Sequence, residues 1–248
     1  MRQVPPNYFD GRIAQDYDAD SAAMFESAVL DPTIDLLAEL ARGDSALELG
    51  IGTGRVALPL RQRGVVVHGI DLSPAMIEQL RAKPDASEIA VTIGDSATAK
   101  VGRTFKLVYL VYNTITNLTS QDEQVACFQN AADHLESGGH FVIEVFVPTL
   151  QRLPPGETVR AFHVSPTYLA FDEYDIATQT LYSHHYWVDQ AKVKTFSAPY
   201  RYVWAAELDL MARIAGLHLV ERWGTWRKDP FTSDSSAHIS VWQKGLLE

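Results

Sequence analysis

The sequence predicts a doubly wound α/β domain, and three observations carry that expectation. Five apolar, strand-like runs alternate with helical patterns within about 100 residues, which implies parallel βαβ units. The runs are nearly continuous in apolar residues rather than alternating, so their sheet is covered on both faces. A glycine-rich turn joins the first run to the helix after it, at the strand ends where such sheets hold ligands.

Taken in order, residues 20–30 and 32–42 read as two helices, with Pro32 tolerated at the start of the second. Ile34, Leu37, Ala38 and Ala41 recur there at helical spacing, and Gly43 supplies a stop. Residues 45–49 form a short strand, residues 50–54 the glycine turn, and a helix follows to about Gln62. Residues 65–70 are a β-branched apolar run, hence a buried strand. Ser73 caps the next helix, with Pro74 at its first position. Residues 89–93 and 105–112 are two further strands. Ser120-Gln121-Asp122-Glu123 fits the capping box and opens a helix to about Glu136. Gly138-Gly139 is expected to end it, before a strand over 140–147.

The pattern changes beyond Thr149. Pro154-Pro155-Gly156 reads as a loop. Residues 160–169, 180–188 and 194–204 alternate polar with aromatic or β-branched residues, which implies antiparallel strands with one wetter face. A helix over 205–215, ended by Gly216, and strands over 217–223 and 237–243 complete the chain. One domain of 248 residues is therefore expected, divided into a lid and first helices (1–43), a ligand-binding core (44–147), a substrate-side insertion (148–204) and closing elements (205–248). Insertions on a fixed scaffold are natural places for substrate selection.

The chain carries 21 Lys and Arg against 31 Asp and Glu, a net charge of −10, which disfavours binding to nucleic acid backbones. The single cysteine, Cys127, excludes an intramolecular disulfide and a cysteine-based zinc site, and no metal is expected. The first eight residues hold no apolar signal core, and no apolar run is long enough for a membrane span. These features point to a cytoplasmic location.

The chemistry concentrates in Glu48-Leu49-Gly50-Ile51-Gly52-Thr53-Gly54. Glycines let a ligand approach the backbone, and the helix N-terminus beyond favours an anionic group. The spacing G-x-G-x-G differs from the G-x-G-x-x-G dinucleotide fingerprint. Glu48 would crowd a pyrophosphate but suits a cationic amine. Asp71, ending the second strand, can accept two ribose hydroxyls, and Asp95 at the third-strand exit is placed for an adenine amino group.

These motifs, with Gly69-Ile70-Asp71-Leu72-Ser73, Met76, Gly94-Asp95, Tyr112-Asn113-Thr114 and Leu135-x-x-Gly138-Gly139-x-Phe141, resemble those of class I S-adenosylmethionine-dependent methyltransferases. The resemblance covers about residues 8–147. It implies a Rossmann-like seven-stranded sheet with an antiparallel last strand, N-terminal lid helices and an antiparallel β insertion after the fifth strand. It also implies S-adenosyl-L-methionine as cofactor, touched by Tyr17, Glu48, Gly50, Gly52, Gly54, Asp71, Leu72, Met76, Asp95, Ser96 and Tyr112. The tail resembles small-molecule methyltransferases, including amino-sugar N-methyltransferases, although Tyr112-Asn113-Thr114-Ile115 stands where many N-methyltransferases carry Asn-Pro-Pro-Tyr.

The expected reaction is in-line methyl transfer to a nitrogen or oxygen of a small molecule, driven mainly by proximity and orientation. Glu144, at the exit of the fifth strand, and His185, in the His184-His185 pair, are the candidate assisting groups. Methylation of RNA or protein, or nicotinamide-dependent oxidoreduction, are the alternative readings. A homodimer is left open.

Overall fold

The structure is a computed structural model, and it describes residues 7–189 and 192–246. Residues 1–6, included above in the lid and in the search for a signal core, lie outside the described residues, as do 190–191 and 247–248. Seven strands form the main sheet in the order β10-β11-β5-β4-β1-β2-β3. They are β1 (Ser45–Leu49), β2 (Val66–Asp71), β3 (Ala90–Ile93), β4 (Phe105–Leu110), β5 (Leu135–Phe146), β10 (Leu217–Trp223) and β11 (Ala237–Lys244). The β1, β2, β3, β4 and β5 pairings are parallel, whereas β11 runs antiparallel to both β5 and β10.

Helices cover both faces, which accounts for the continuous apolar strands. On one face α2 (Ser27–Ala41), α3 (Ala57–Gln62) and α4 (Pro74–Arg81) bury Ile34, Leu37, Leu60 and Leu80 against Ala46, Val67 and Leu107. On the other, α5 (Gln121–His134) and α6 (Ala205–Ile214) bury Phe128, Leu208 and Met211 against Val108, Phe141 and Trp242. Phe128 stands edge-on to Phe141 at 5.1 Å and to Trp242 at 5.3 Å, a geometry that favours the positive ring edge over a negative face. The caps form as expected. Ser73 Oγ accepts from Met76 N at 3.2 Å, and the Ser120–Glu123 box is closed in both directions. Among the described residues, no helix is long and apolar enough to cross a membrane.

The N-terminal helices depart from expectation. A helix α1 (Gly11–Asp20) precedes a short 3-10 turn (Ala22–Phe25), and Pro32 lies inside a continuous α2. Pro32 has no N–H to donate to the Ala28 carbonyl one turn earlier. The Arg227 guanidinium donates to that carbonyl instead, at 3.3 Å, so a distant loop supplies the missing donor. Gly138-Gly139 do not separate helix from strand either. The helix stops at His134, β5 pairs from Leu135, and the glycines absorb a register shift between Phe105↔Leu135 and Leu107↔His140.

The insertion is a separate antiparallel sheet of four strands, where three alternating runs were expected. These are β6 (Val159–Val164), β7 (Tyr168–Asp175), β8 (Thr180–Asp189) and β9 (Lys192–Arg201), in that order. The run over 160–169 spans β6, the Ser165–Tyr168 turn and the start of β7. Buried Arg201 ties β9 to the core by donating to Gln124 Oε1, to Gln179 Oε1 at 3.1 Å and to Glu207 Oε1 at 2.7 Å. Burial would raise the Glu207 carboxyl, but hydrogen bonds from Gln179, Arg201 and Gln121 hold it below its usual value.

Candidate active site

The carboxyl ends of β1, β2, β3 and β4, the N-terminal segment and the inner face of the insertion sheet enclose one cleft of about 1750 Å³. Tyr17, Glu48, Gly50, Gly52, Asp71, Leu72, Met76, Asp95, Ser96, Tyr112 and His185 all line it. Gly54 and Glu144 do not, for reasons given below.

Glu48 sits on the interior strand β1 beside Tyr109 of the central strand β4, its direct pairing partner. It is 3% exposed, and Tyr109 Oη donates to Glu48 Oε2 at 2.9 Å. Burial pushes its carboxyl up to about 8, against the opposing pull of the Tyr109 hydrogen bond and of Arg55. Arg55 lies in the cleft with its guanidinium 5.1 Å from the centre of the Tyr112 ring. Sequence reasoning passed over Arg55, although it follows the last glycine directly.

The glycine turn is held from both sides. Asp71 Oδ2 accepts from Gly52 N at 2.7 Å and Asp71 Oδ1 from Ser73 N at 2.8 Å. Asp71 thus braces the turn and the next helix while its carboxylate borders the cleft. Burial raises this carboxyl, and the backbone donors at Ser73, Gly52 and Leu72 oppose the rise. Gly52 has φ +54°, and a Cβ there would face the Met76 methyl at 3.2 Å. Gly54 has φ +79°, and a Cβ there would collide with the Leu80 side chain, so this glycine serves helix packing rather than the cleft wall. Leu72 presents an apolar surface that is 44% exposed. Asp95 Oδ1 accepts from Ala97 N at 2.7 Å.

Beyond β4 the chain turns through two non-glycine residues at positive φ, Tyr112 (+55°) and Asn113 (+62°). Such residues cost about 1–2 kcal/mol each unless their surroundings hold them. Glu144 does that holding. Its Oε2 accepts from Tyr112 N at 2.9 Å, and its Oε1 accepts from Trp226 Nε1 at 2.8 Å. Both carboxylate oxygens accept donors behind the turn and Glu144 does not line the cleft, so the structure does not bring this candidate together with the other expected site residues. Asn113 Oδ1 completes the turn by accepting from Phe146 N at 2.7 Å.

The N-terminal segment closes one side. Tyr17 and Tyr8 both line the cleft, and the Tyr8 hydroxyl donates to Asn117 Oδ1. Burial first, and Tyr112 second, push the Tyr17 phenol up to about 12. Asp18 latches this segment to the glycine turn, through Thr53 Oγ1 at 2.6 Å and Lys83 Nζ at 2.5 Å. Across the cleft, His185 Nδ1 meets Tyr168 Oη at 2.6 Å and its Nε2 meets Ser183 Oγ at 3.2 Å. Burial lowers the His185 imidazole, so it stays neutral, and His184 points to the opposite face toward Ser197. Tyr168 and Asp172 border the cleft without having been singled out in sequence, as does Tyr8 of the N-terminal segment. For Tyr168 and Asp172 the signal is the alternating register of the insertion, legible only once strand boundaries are known.

Comparison with known proteins gives a consistent set of likenesses. Residues 46–139 match the family model described as a methyltransferase domain. The chain is 33% identical to the CcbJ methyltransferase from Streptomyces caelestis, covering 98% of this chain and all of that one, with a TM-score of 0.82. It is 26% identical over 251 residues to a cypemycin N-terminal methyltransferase from a Streptomyces species, covering 96% of this chain and 98% of the relative. The fold also matches S-adenosylmethionine-bound CalS10 from Micromonospora echinaspora, an amino pentose methyltransferase, at 20% identity, a TM-score of 0.69 and coverage of 96% and 98%.

Proposed function

Because the chain belongs to the class I S-adenosylmethionine-dependent methyltransferases, we propose that it methylates a small molecule held between the glycine turn and the insertion sheet. The cofactor of this family is S-adenosyl-L-methionine, and the residues of this cleft fit it. Glu48 and Asp71 are both raised by burial, so the cleft favours a cation and hydroxyl donors over a pyrophosphate. When bound, S-adenosylmethionine supplies an electrophilic methyl group on a sulfonium centre.

In this reading Glu48 holds the ammonium group and Arg55 the carboxylate of the methionine part. Asp71 uses its free lone pairs for the ribose hydroxyls, and Gly50 and Gly52 admit that part against the backbone. Leu72 and Met76 pack against the adenine, with Asp95 and Ser96 at its polar edge. Tyr17 and Tyr112 stand at the methionine end, where their ring faces stabilise positive charge. The protein's contribution is then placement: rigid aromatic walls align the acceptor, and the latched N-terminal segment keeps water out.

A nitrogen acceptor is favoured over oxygen. A hydroxyl needs strong base assistance, whereas an amine becomes a nucleophile on losing one proton. The relative aligned over nearly its whole length carries N-terminal methylation in its name. An acidic chain with a cleft bordered by Asp20, Asp71, Asp95 and Asp172 supports a small acceptor rather than RNA.

The observation that carries this reading is Glu48, a buried carboxyl beside the glycine turn. Calorimetry with S-adenosylmethionine and with its demethylated product is the test. Both are expected to bind, and a folded protein that binds neither overturns the proposal.

A further inference from the structure

The cleft wall opposite the glycine turn is the inner face of the insertion sheet. Its register sets Arg160 of β6 directly across from Asp172 of β7, and Asp172 across from Ser183 of β8. All three border the cleft. Arg160 Nη1 is buried without a hydrogen-bond partner, although an opposite charge stands beside it. A buried unpaired donor is costly, so a ligand oxygen placed there gains the full value of the bond.

Asp172 is the acceptor toward which the polar groups of this wall converge. Tyr174 Oη lies 3.5 Å from Asp172 Oδ2 and 3.1 Å from Thr149 Oγ1. Ser183, across the strand pair, stabilises the carboxylate by hydrogen bonding. An ionised carboxylate only accepts, so Ser183 donates to it and must itself accept from His185 Nε2–H. His185 Nδ1 is then left to accept from the Tyr168 hydroxyl. Burial raises the Asp172 carboxyl, opposed by Ser183, Tyr174, His184 and Arg160. Tyr200 of β9, Tyr17 and Tyr112 border the same cleft as Asp172, and the Tyr200 phenol is raised by burial first and then by Tyr17 and Asp172.

We propose that Asp172 and Arg160 form the acceptor-recognition pair: Asp172 holds the acceptor's ammonium and takes one proton from it, while Arg160 Nη1 binds an oxygen on a neighbouring carbon. The acceptor class is therefore an amine flanked by a hydroxyl or carbonyl. This rests on the methyl-transfer reading above. The proton leaves nitrogen for Asp172 and then solvent. The freed nitrogen pair forms the N–C bond, and the C–S bond breaks with its electrons kept by sulfur.

Three probes test it with wild-type protein and S-adenosylmethionine: trans-2-aminocyclohexanol, glycinamide and cyclohexylamine. The amino alcohol or the amino amide is expected to be methylated with kcat/KM about tenfold above cyclohexylamine, the value of one extra hydrogen bond. The more favoured of the two identifies the oxygen as hydroxyl or carbonyl. Arg160→Gln should erase the preference. Asp172→Asn should lower kcat/KM by about 100-fold, as expected on removing one partner of a buried charge pair, with cofactor affinity within about twofold of wild type. Asp172→Glu should restore part of the loss.

A second readout follows the His185 ring nitrogens by NMR in protein loaded with the demethylated product. Amine binding should shift them in wild type and in Asp172→Glu but not in Asp172→Asn. Cofactor binding with no preference among the three amines, or with no effect of Asp172→Asn, overturns this inference and leaves the methyl-transfer reading standing. Absent cofactor binding overturns that reading, and this inference with it.

Discussion

Glu48→Gln separates the cost of a buried carboxyl from its use. The folded-state value of about 8 lies above the ordinary carboxylate value of 4.5. The folded protein therefore binds the proton more tightly than the unfolded chain, and Glu48 removes stability as pH rises from 4.5 toward 8. That loss is about 1 kcal/mol at pH 5 and about 4 kcal/mol at pH 8. Glutamine does not titrate, and every other group cancels in the comparison. The difference in unfolding free energy between Glu48→Gln and wild type should thus move by about 3 kcal/mol in favour of the variant between pH 5 and pH 8, or about 6–12 °C in Tm. Cofactor affinity should move the other way. Pairing a buried carboxylate with an ammonium gains about 3–5 kcal/mol, of which ionising Glu48 at pH 7 takes back about 1.4 kcal/mol. The net of about 1.6–3.6 kcal/mol means the variant should bind S-adenosylmethionine about 15- to 450-fold more weakly. Wild-type binding at pH 7 should release about 0.9 proton from Glu48, and the variant none. Calorimetry in two buffers of different ionisation enthalpy reads that proton, and thermal unfolding at the two pH values reads the stability. Equal affinities, or a Tm difference that does not change with pH, would refute the assignment of Glu48 to a cationic ligand.

Three other substitutions probe separate parts of the same architecture. Tyr109→Phe removes the side-chain donor to Glu48, so the carboxyl should rise further and cofactor affinity at pH 7 should fall by about three- to tenfold, the value of one hydrogen bond, as measured by calorimetry. Gly54→Ala meets both a positive φ and the Leu80 side chain, and should cost about 2–4 kcal/mol in denaturant unfolding, a smaller increment when it is added to a Leu80→Ala background that has already removed the clash. Glu144→Ala leaves the Tyr112 N–H and Trp226 indole without their acceptor, and should cost about 1–3 kcal/mol of stability and weaken cofactor binding. Because Glu144 positions the turn, the variant's pH–rate profile should keep its shape; a lost ionisation there would return Glu144 to an acid–base role.

Much of the fold was legible because local chemistry and global topology agree at the motifs. Ser73 and Ser120 cap the helices their sequence context announces, and the glycine turn falls between β1 and its helix. The misreadings occur where a distant partner overrides a local rule. Pro32 is a sound helix-start signal taken alone, and only Arg227, remote in sequence, explains how it sits inside α2. Gly138-Gly139 read as a stop because nothing local reveals that Lys106 and Leu135 close around Gly139 in a register shift.

The cleft divides on the same principle. Glu48, Asp71 and Asp95 follow from position on a scaffold whose strand ends define the ligand side. Glu144 shares that position, at the exit of β5, and position alone placed it among the acting groups. Its two oxygens instead accept one backbone and one indole donor behind the Tyr112 turn, and the residue does not line the cleft. Asp172 is the reverse case. It lies mid-strand in a segment whose alternation looked ordinary, yet it faces the cleft beside a guanidinium nitrogen that has no partner. What distinguishes the two carboxylates is whether they border the cavity: both accept two donors from the chain, but Asp172 lines the cleft and Glu144 does not. A carboxylate engaged behind the wall organises structure, whereas one on the wall beside an unpaired donor keeps lone pairs within reach of a ligand.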